Sequence, residues 1–166
     1  TYTASNRIET VTDADGKQMR FSYVNDAEIA PDPVCAASSS SMGERIKTIF
    51  YPGRPNPTVN TYGSSRRVLR QVGYDGREFK FAYQLTGACV TRASQPGVIC
   101  SGAGCPTEDS WEAFQSGWRF HGGRVLATPV IQPDGTQISR QFSSVGALNT
   151  AIDEAGQNTT YRRDTD

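Results

Sequence analysis

The sequence predicts an all-β chain made of antiparallel hairpin repeats. Three observations carry this. Thr, Ser, Gly, Val, Tyr and Phe prevail over helix formers, and sixteen Gly and nine Pro are spread along all 166 residues. That composition reads as short strands with frequent turns. Large and polar residues alternate in Met19-Arg20-Phe21-Ser22-Tyr23 and again in Phe79-Lys80-Phe81-Ala82-Tyr83. Period two puts the large side chains on one face of a strand. Finally, one stretch recurs. RIETVTDADGKQMRFSY at 7–23 aligns without a gap on RVLRQVGYDGREFKFAY at 67–83, an offset of 60 residues.

Each copy reads as one hairpin. Asp15-Gly16 and Asp75-Gly76 stand just before the alternating run, where a tight turn needs positive φ. Residues 8–12 and 68–72 supply the partner strands. The first hairpin spans about 6–24 and the second about 66–85. Two further copies are looser. RVLATPVIQPDGTQISRQF at 124–142 keeps Arg124-Val125 and turns at Asp134-Gly135. LNTAIDEAGQNTTYRR at 148–163 turns at Gly156, with Tyr161 at the place of Phe21 and Phe81. Residues 45–62 form a partial unit, with Ile46–Tyr51 as a strand and a turn from Pro52-Gly53 to Pro57. Insertions are expected at about 26–44 and 86–116. The first, with Pro31-Asp32-Pro33 and Ser38–Ser41, reads as a loop. In the second, 107–114 reads as a short helix capped by Thr107 or Asp109, with an aromatic strand as the other reading. Trp118-Arg119-Phe120-His121-Gly122-Gly123-Arg124-Val125 reads as an aromatic strand, a glycine turn, and the opening of the next strand.

Charge and hydropathy narrow the function classes. Seventeen basic and seventeen acidic residues cancel, so no basic excess points to nucleic acid. No apolar run approaches the roughly 18–20 residues of a membrane span. The opening Thr1-Tyr2-Thr3-Ala4-Ser5-Asn6 has no signal-peptide pattern. The missing initial Met is read as a segment of a longer chain. Cys35, Cys89, Cys100 and Cys105 allow two disulfides in three pairings, in keeping with export, or else free buried thiols. Ser-Gly-Ala-Gly between Cys100 and Cys105 is flexible enough for those two to meet.

The unit "aromatic-x-Tyr-Asp, turn, Gly-Arg-Leu/Val, strand, Asp-x-Gly-Arg, strand" is the mark of RHS/YD repeats. This sequence resembles that family at Asp13-Ala14-Asp15-Gly16-Lys17, Tyr74-Asp75-Gly76-Arg77, Phe120-His121-Gly122-Gly123-Arg124-Val125 and Asp153-Glu154-Ala155-Gly156, over about two thirds of the chain. The Tyr-Asp pair itself is replaced by Tyr23-Val24, Tyr83-Gln84, Phe120-His121 and Arg163-Asp164. The resemblance implies a curved sheet forming part of a cocoon-like wall. It implies a structural role, in an exported or cell-surface bacterial protein, as a shell around a C-terminal toxin or effector. Its partners would be flanking repeats of the same chain, an enclosed toxin segment and secretion machinery.

Candidate chemistry is sparse, and no catalytic residue, metal site or cofactor is assigned. His121, the only histidine, falls at a repeat junction and reads as a turn residue. Cys100, Cys105 and His121 are too loosely spaced for a structural zinc site without Cys35 or Cys89. Glu108, Asp109 and Glu112 read as a solvated acidic face. The Asp-Gly pairs lack the dense oxygen ligands of calcium loops. Arg7, Arg67 and Arg124 open their units and read as cross-strand partners of nearby acids. Tyr51, Tyr62, Tyr74 and Trp111 are candidates for a sugar-stacking platform. Asn158-Thr159-Thr160 is a glycosylation sequon. The alternative to a shell segment is an adhesion or carbohydrate-binding β module.

Overall fold

The structure is a computed structural model, and it describes residues 1–24, 34–35 and 45–161. The first expected insertion lies almost wholly outside the described residues, as does the end of the fourth hairpin beyond Tyr161. Within them the chain is all-β and antiparallel, as the alternation requires. The strands are β1 (Thr10–Thr12), β2 (Gln18–Tyr23), β3 (Ile46–Phe50), β4 (Thr58–Tyr62), β5 (Val68–Val72), β6 (Glu78–Arg92), β7 (Gln95–Ile99) and β8 (Glu108–Ser110). A short helix α1 (Trp111–Gln115) follows, then β9 (Trp118–Ile131), β10 (Gln137–Phe142), β11 (Leu148–Ile152) and β12 (Asn158–Thr160). They form one open sheet in the order β1-β2-β3-β4-β5-β6-β9-β10-β11-β12, with β7 and β8 also paired to β6.

β6 is the spine. One side pairs with β9 from Lys80 to Arg92. The other side is shared: Glu78–Lys80 pair with β5, Ala82–Gln84 with β8, and Thr91–Arg92 with β7. The second hairpin therefore runs past its expected end at Leu85, and the start of the second insertion is a continuation of strand.

Seven turns share one geometry. They span 3–7, 13–17, 63–67, 73–77, 132–136, 143–147 and 153–157. In each, the first residue's carbonyl accepts from the fourth N–H, and the first N–H donates to the fifth carbonyl. This is a type I turn closed by one left-handed residue. The fourth residue supplies the positive φ: Gly16, Gly76, Gly135, Gly146 and Gly156, and, without glycine, Asn6 and Arg66. The Asp of each Asp-Gly pair stays at negative φ; only the glycine takes the left-handed conformation.

Register fixes the faces. Phe21 opposes Ile49, Ile49 opposes Thr58, Asn60 opposes Gln71, and Gln71 opposes Phe79. Strand alternation then puts Phe21 and Phe81 on the same face. That face continues through Val130, Ile138, Ala151 and Thr159. The other face carries Arg20, Thr48, Arg70, Glu78 and Lys80. Few apolar side chains are fully buried: Val24, Cys35, Leu69, Phe120, Ala127 and Val130 among the described residues. Most of the aromatic face is half-buried, because no second layer of the described chain covers it.

Two local readings change. Gly122-Gly123 closes no turn; β9 passes straight through it. Gly122 and Gly123 have φ of 68° and 82°, and Gly87 on β6 has 70°, so left-handed glycines crease both strands at one level. A Cβ on Gly123 would sit 2.9 Å from the Ala88 Cβ, so close approach also demands glycine there. The 107–114 stretch is both a strand and a helix. Its cap is Ser110, not Thr107 or Asp109; Ser110 Oγ accepts from the Ala113 N–H at 3.2 Å. Asp109 is engaged elsewhere.

Gly76 has open space around its Cβ position, so Gly76→Ala tests backbone strain alone. The left-handed conformation costs a non-glycine residue roughly 1–2 kcal/mol. Urea denaturation of Gly76→Ala should show a loss of about 1 kcal/mol with an unchanged m-value.

Candidate functional site

The two matched hairpins agree in their side-chain contacts as well as their turns. Tyr23 Oη donates to the Ile8 carbonyl at 2.7 Å, and Tyr83 Oη to the Val68 carbonyl at 2.8 Å. Arg7 lies over the Tyr23 ring at 5.4 Å, and Arg67 over the Tyr83 ring at 5.9 Å. Each tyrosine thus latches the end of its hairpin back to the beginning, beneath an arginine. The partial unit has the same latch, with Tyr62 Oη donating to the Ile46 carbonyl at 2.8 Å. Burial raises the Tyr62 phenol and pushes Tyr83 to about 12, so both remain hydrogen-bond donors at neutral pH. The hydrogen bonds of the recurrent arginines go to carbonyls and their faces to rings; of the expected acids, Asp109 lies within the field of Arg67. Arg67 donates to the Gly122 and Gly123 carbonyls at 3.2 and 2.7 Å. Arg124 donates to the Ser144 carbonyl in the 143–147 turn.

Six of the seven turns carry their own acceptor. Asp13 Oδ1 takes the Asp15 and Lys17 N–H groups, and Asp153 Oδ1 takes those of Ala155 and Gln157. Thr3 Oγ1 and Ser143 Oγ take the N–H of Arg7 and Ala147. Asp75 Oδ1 takes Arg77 N–H, and Asp134 Oδ1 takes Thr136 N–H. The Arg77 N–H lowers the pKa of Asp75, and at Asp134 the Thr136 hydroxyl, followed by the Thr136 N–H, does the same.

The turn at 63–67 is the exception. Its left-handed residue is Arg66, and its Ser65 Oγ donates instead to Asp109 Oδ2. Asp109 is only 1% exposed. It comes from β8, opposite Tyr83 on β6. A Cβ on Gly63 would meet Leu69 Cδ1 at 2.7 Å and Asp109 Oδ1 at 3.2 Å, so the turn packs tightly over the carboxyl. Leu69 is fully buried in the same place. Burial raises Asp109 to about 6 against the Ser65 hydrogen bond and the charges of Arg67 and Arg119. Asp109 is hidden, whereas half-buried Glu108 accepts from Gln84 at 2.9 Å and exposed Glu112, on α1, pairs with Lys80 at 3.1 Å. The three acids are therefore not one solvated face. The composition of 108–112 gave no warning of this, since the partner that matters is Ser65.

The remaining candidates are dispersed. Disulfides join Cys35 to Cys89 and Cys100 to Cys105, with Cα atoms 5.9 and 5.8 Å apart. His121 sits mid-strand and buried, opposite Cys89, with Nε2 3.2 Å from Thr91 Oγ1; it is not a turn residue. Among the described residues, no three His, Cys, Asp or Glu side chains gather as a metal site. Tyr51 and Tyr74 come together, their centroids 5.6 Å apart, whereas Tyr62 serves as a latch. Trp111 stacks on Phe114 at 5.9 Å on α1, with Arg70 over its ring.

The class is thus an open, single-sheet, all-β protein with repeated hairpins. No family model matches the chain, and no curated protein matches it.

Asp109 gives a pH signature. Its pKa rises on folding, so the folded state prefers the neutral acid. Stability from this group is complete below pH 4 and falls as pH rises through about 6. The full penalty is about 3 kcal/mol. Asp109→Asn removes that step. Thermal unfolding at pH 4.5 and 7.5 should show the variant gaining about 2 kcal/mol on the wild type at the higher pH. An equal difference at both pH values would contradict the assignment.

Proposed function

We propose that this chain is a wall segment of an exported shell of the RHS/YD-repeat kind, enclosing a C-terminal effector. Its work is passive: a continuous hydrogen-bonded sheet separates a cargo from solvent and from other proteins. One observation carries the reading. The hairpins 60 residues apart share turn, tyrosine latch and arginine placement, and their aromatic rows lie on one face of one unbroken sheet. Such hairpins gain stability by lying edge to edge. β12 ends the described sheet with exposed residues and an unpaired side. Unpaired edges invite further strands, and in this reading flanking repeats of the same polypeptide provide them. The two disulfides suit an oxidising compartment outside the cytosol.

Cryo-electron microscopy of the polypeptide that carries this segment tests the proposal. The expected map shows the sheet continuing beyond β12 and closing around a lumen. A sheet capped at both edges, with no enclosed space, would overturn it.

A further inference from the structure

The geometry points to a binding site for a neutral saccharide at the turn-bearing end of the aromatic face, independent of the shell reading. A hollow of about 340 Å³ opens there between β3, β4, β5 and β6. That is near the lower end of ligand pockets, roughly 300–1,000 Å³. Ile49 and Phe79 provide apolar surface, and Tyr51 and Tyr74 line it with their rings. The Tyr74 ring is held in place by Tyr51 at its side and by the Arg54 guanidinium, 4.6 Å from its centroid. Gly73, the first residue of its turn, adds no side chain to the wall; in the corresponding turns at 13–17 and 153–157 that place is taken by Asp13 and Asp153.

The polar groups select the ligand. Gln71 Nε2 is fixed on Asn60 Oδ1 at 2.8 Å, which leaves its carbonyl oxygen as an oriented acceptor. The Tyr51 and Tyr74 hydroxyls make no hydrogen bond among the described residues. A phenol both donates and accepts, as a sugar hydroxyl does. Among the described residues, the charged groups in the lining of the hollow are Asp75 and Arg77, which neutralise each other through an ion pair of 2.7 Å, while Arg54 sits outside the lining, against the Tyr74 ring. An anion would meet Asp75 and a cation Arg77, so the site favours an uncharged ligand. Apolar ring faces beside unsatisfied hydroxyl and amide groups suit a pyranose, which has apolar C–H faces and a rim of hydroxyls. The volume admits one or two such rings.

Saturation-transfer NMR on the whole chain tests this, using cellobiose, lactose and N,N′-diacetylchitobiose as probes and glucose 6-phosphate as the charged control. At least one neutral disaccharide should bind in the millimolar range or tighter, and the charged sugar more weakly. Tyr74→Ala should weaken binding about tenfold or more, equivalent to about 1.4 kcal/mol, and Tyr51→Phe by less. Gln71→Ala, which keeps both rings, gives a second reading should Tyr74→Ala misfold. Trp111→Ala on the opposite side should change nothing. Absence of binding by all three disaccharides, tighter binding of the phosphate, or binding insensitive to both Tyr74→Ala and Gln71→Ala would overturn the site.

Discussion

A sheet one layer thick has to be held by its own ladders. Without a second layer among the described residues, apolar burial is confined to a few positions, and the backbone hydrogen bonds between neighbours carry the architecture. Everything else in the molecule serves that ladder. β6 and β9 run side by side for most of their lengths, and β5, β7 and β8 all attach to the free side of β6. The seven like turns return each strand at the right register, because a type I turn closed by a left-handed residue matches the twist of the strands that leave it. The tyrosine latches then tie the open end of a hairpin, where no turn can act.

The 63–67 turn shows how the scheme accommodates an exception. Six turns are braced by a side chain of their own, but here the brace is Asp109, which arrives from β8. The carboxyl costs stability through burial, yet it joins the β4–β5 turn to a strand that would otherwise hold β6 by three residue pairs. Arg67, one residue on from the strained Arg66, spans to the crease carbonyls of β9. Turn and β8 thus meet at the buried Asp109, and Arg67 links them to the crease.

Much of this was legible in the sequence, and the boundary of legibility has a physical cause. The offset of 60, the turn glycines and the alternating aromatics are local patterns, and local patterns located the hairpins; that Phe21 and Phe81 share a face rests on the register through β3, β4 and β5. Gly122-Gly123 was misread as a turn because adjacent left-handed glycines look alike in a turn and in a crease. What separates them is Gly87 and Ala88 on the neighbouring strand. Asp109 was misread for the same reason: its neighbours in sequence are solvated, and Ser65, which binds it, is 44 residues away. The pairing of the four cysteines and the meeting of Tyr51 with Tyr74 were equally beyond a local pattern.

One ladder, anchored on β6, holds an open sheet. Amide hydrogen exchange along the whole chain tests it most directly. Protection should peak in β5, β6 and the facing half of β9, and decline stepwise toward β1 on one side and β12 on the other, since exchange reports the stability of each opening unit. Uniformly high protection that includes β12 in these 166 residues by themselves would contradict the account, because it would require them to close on themselves or to fold in two layers.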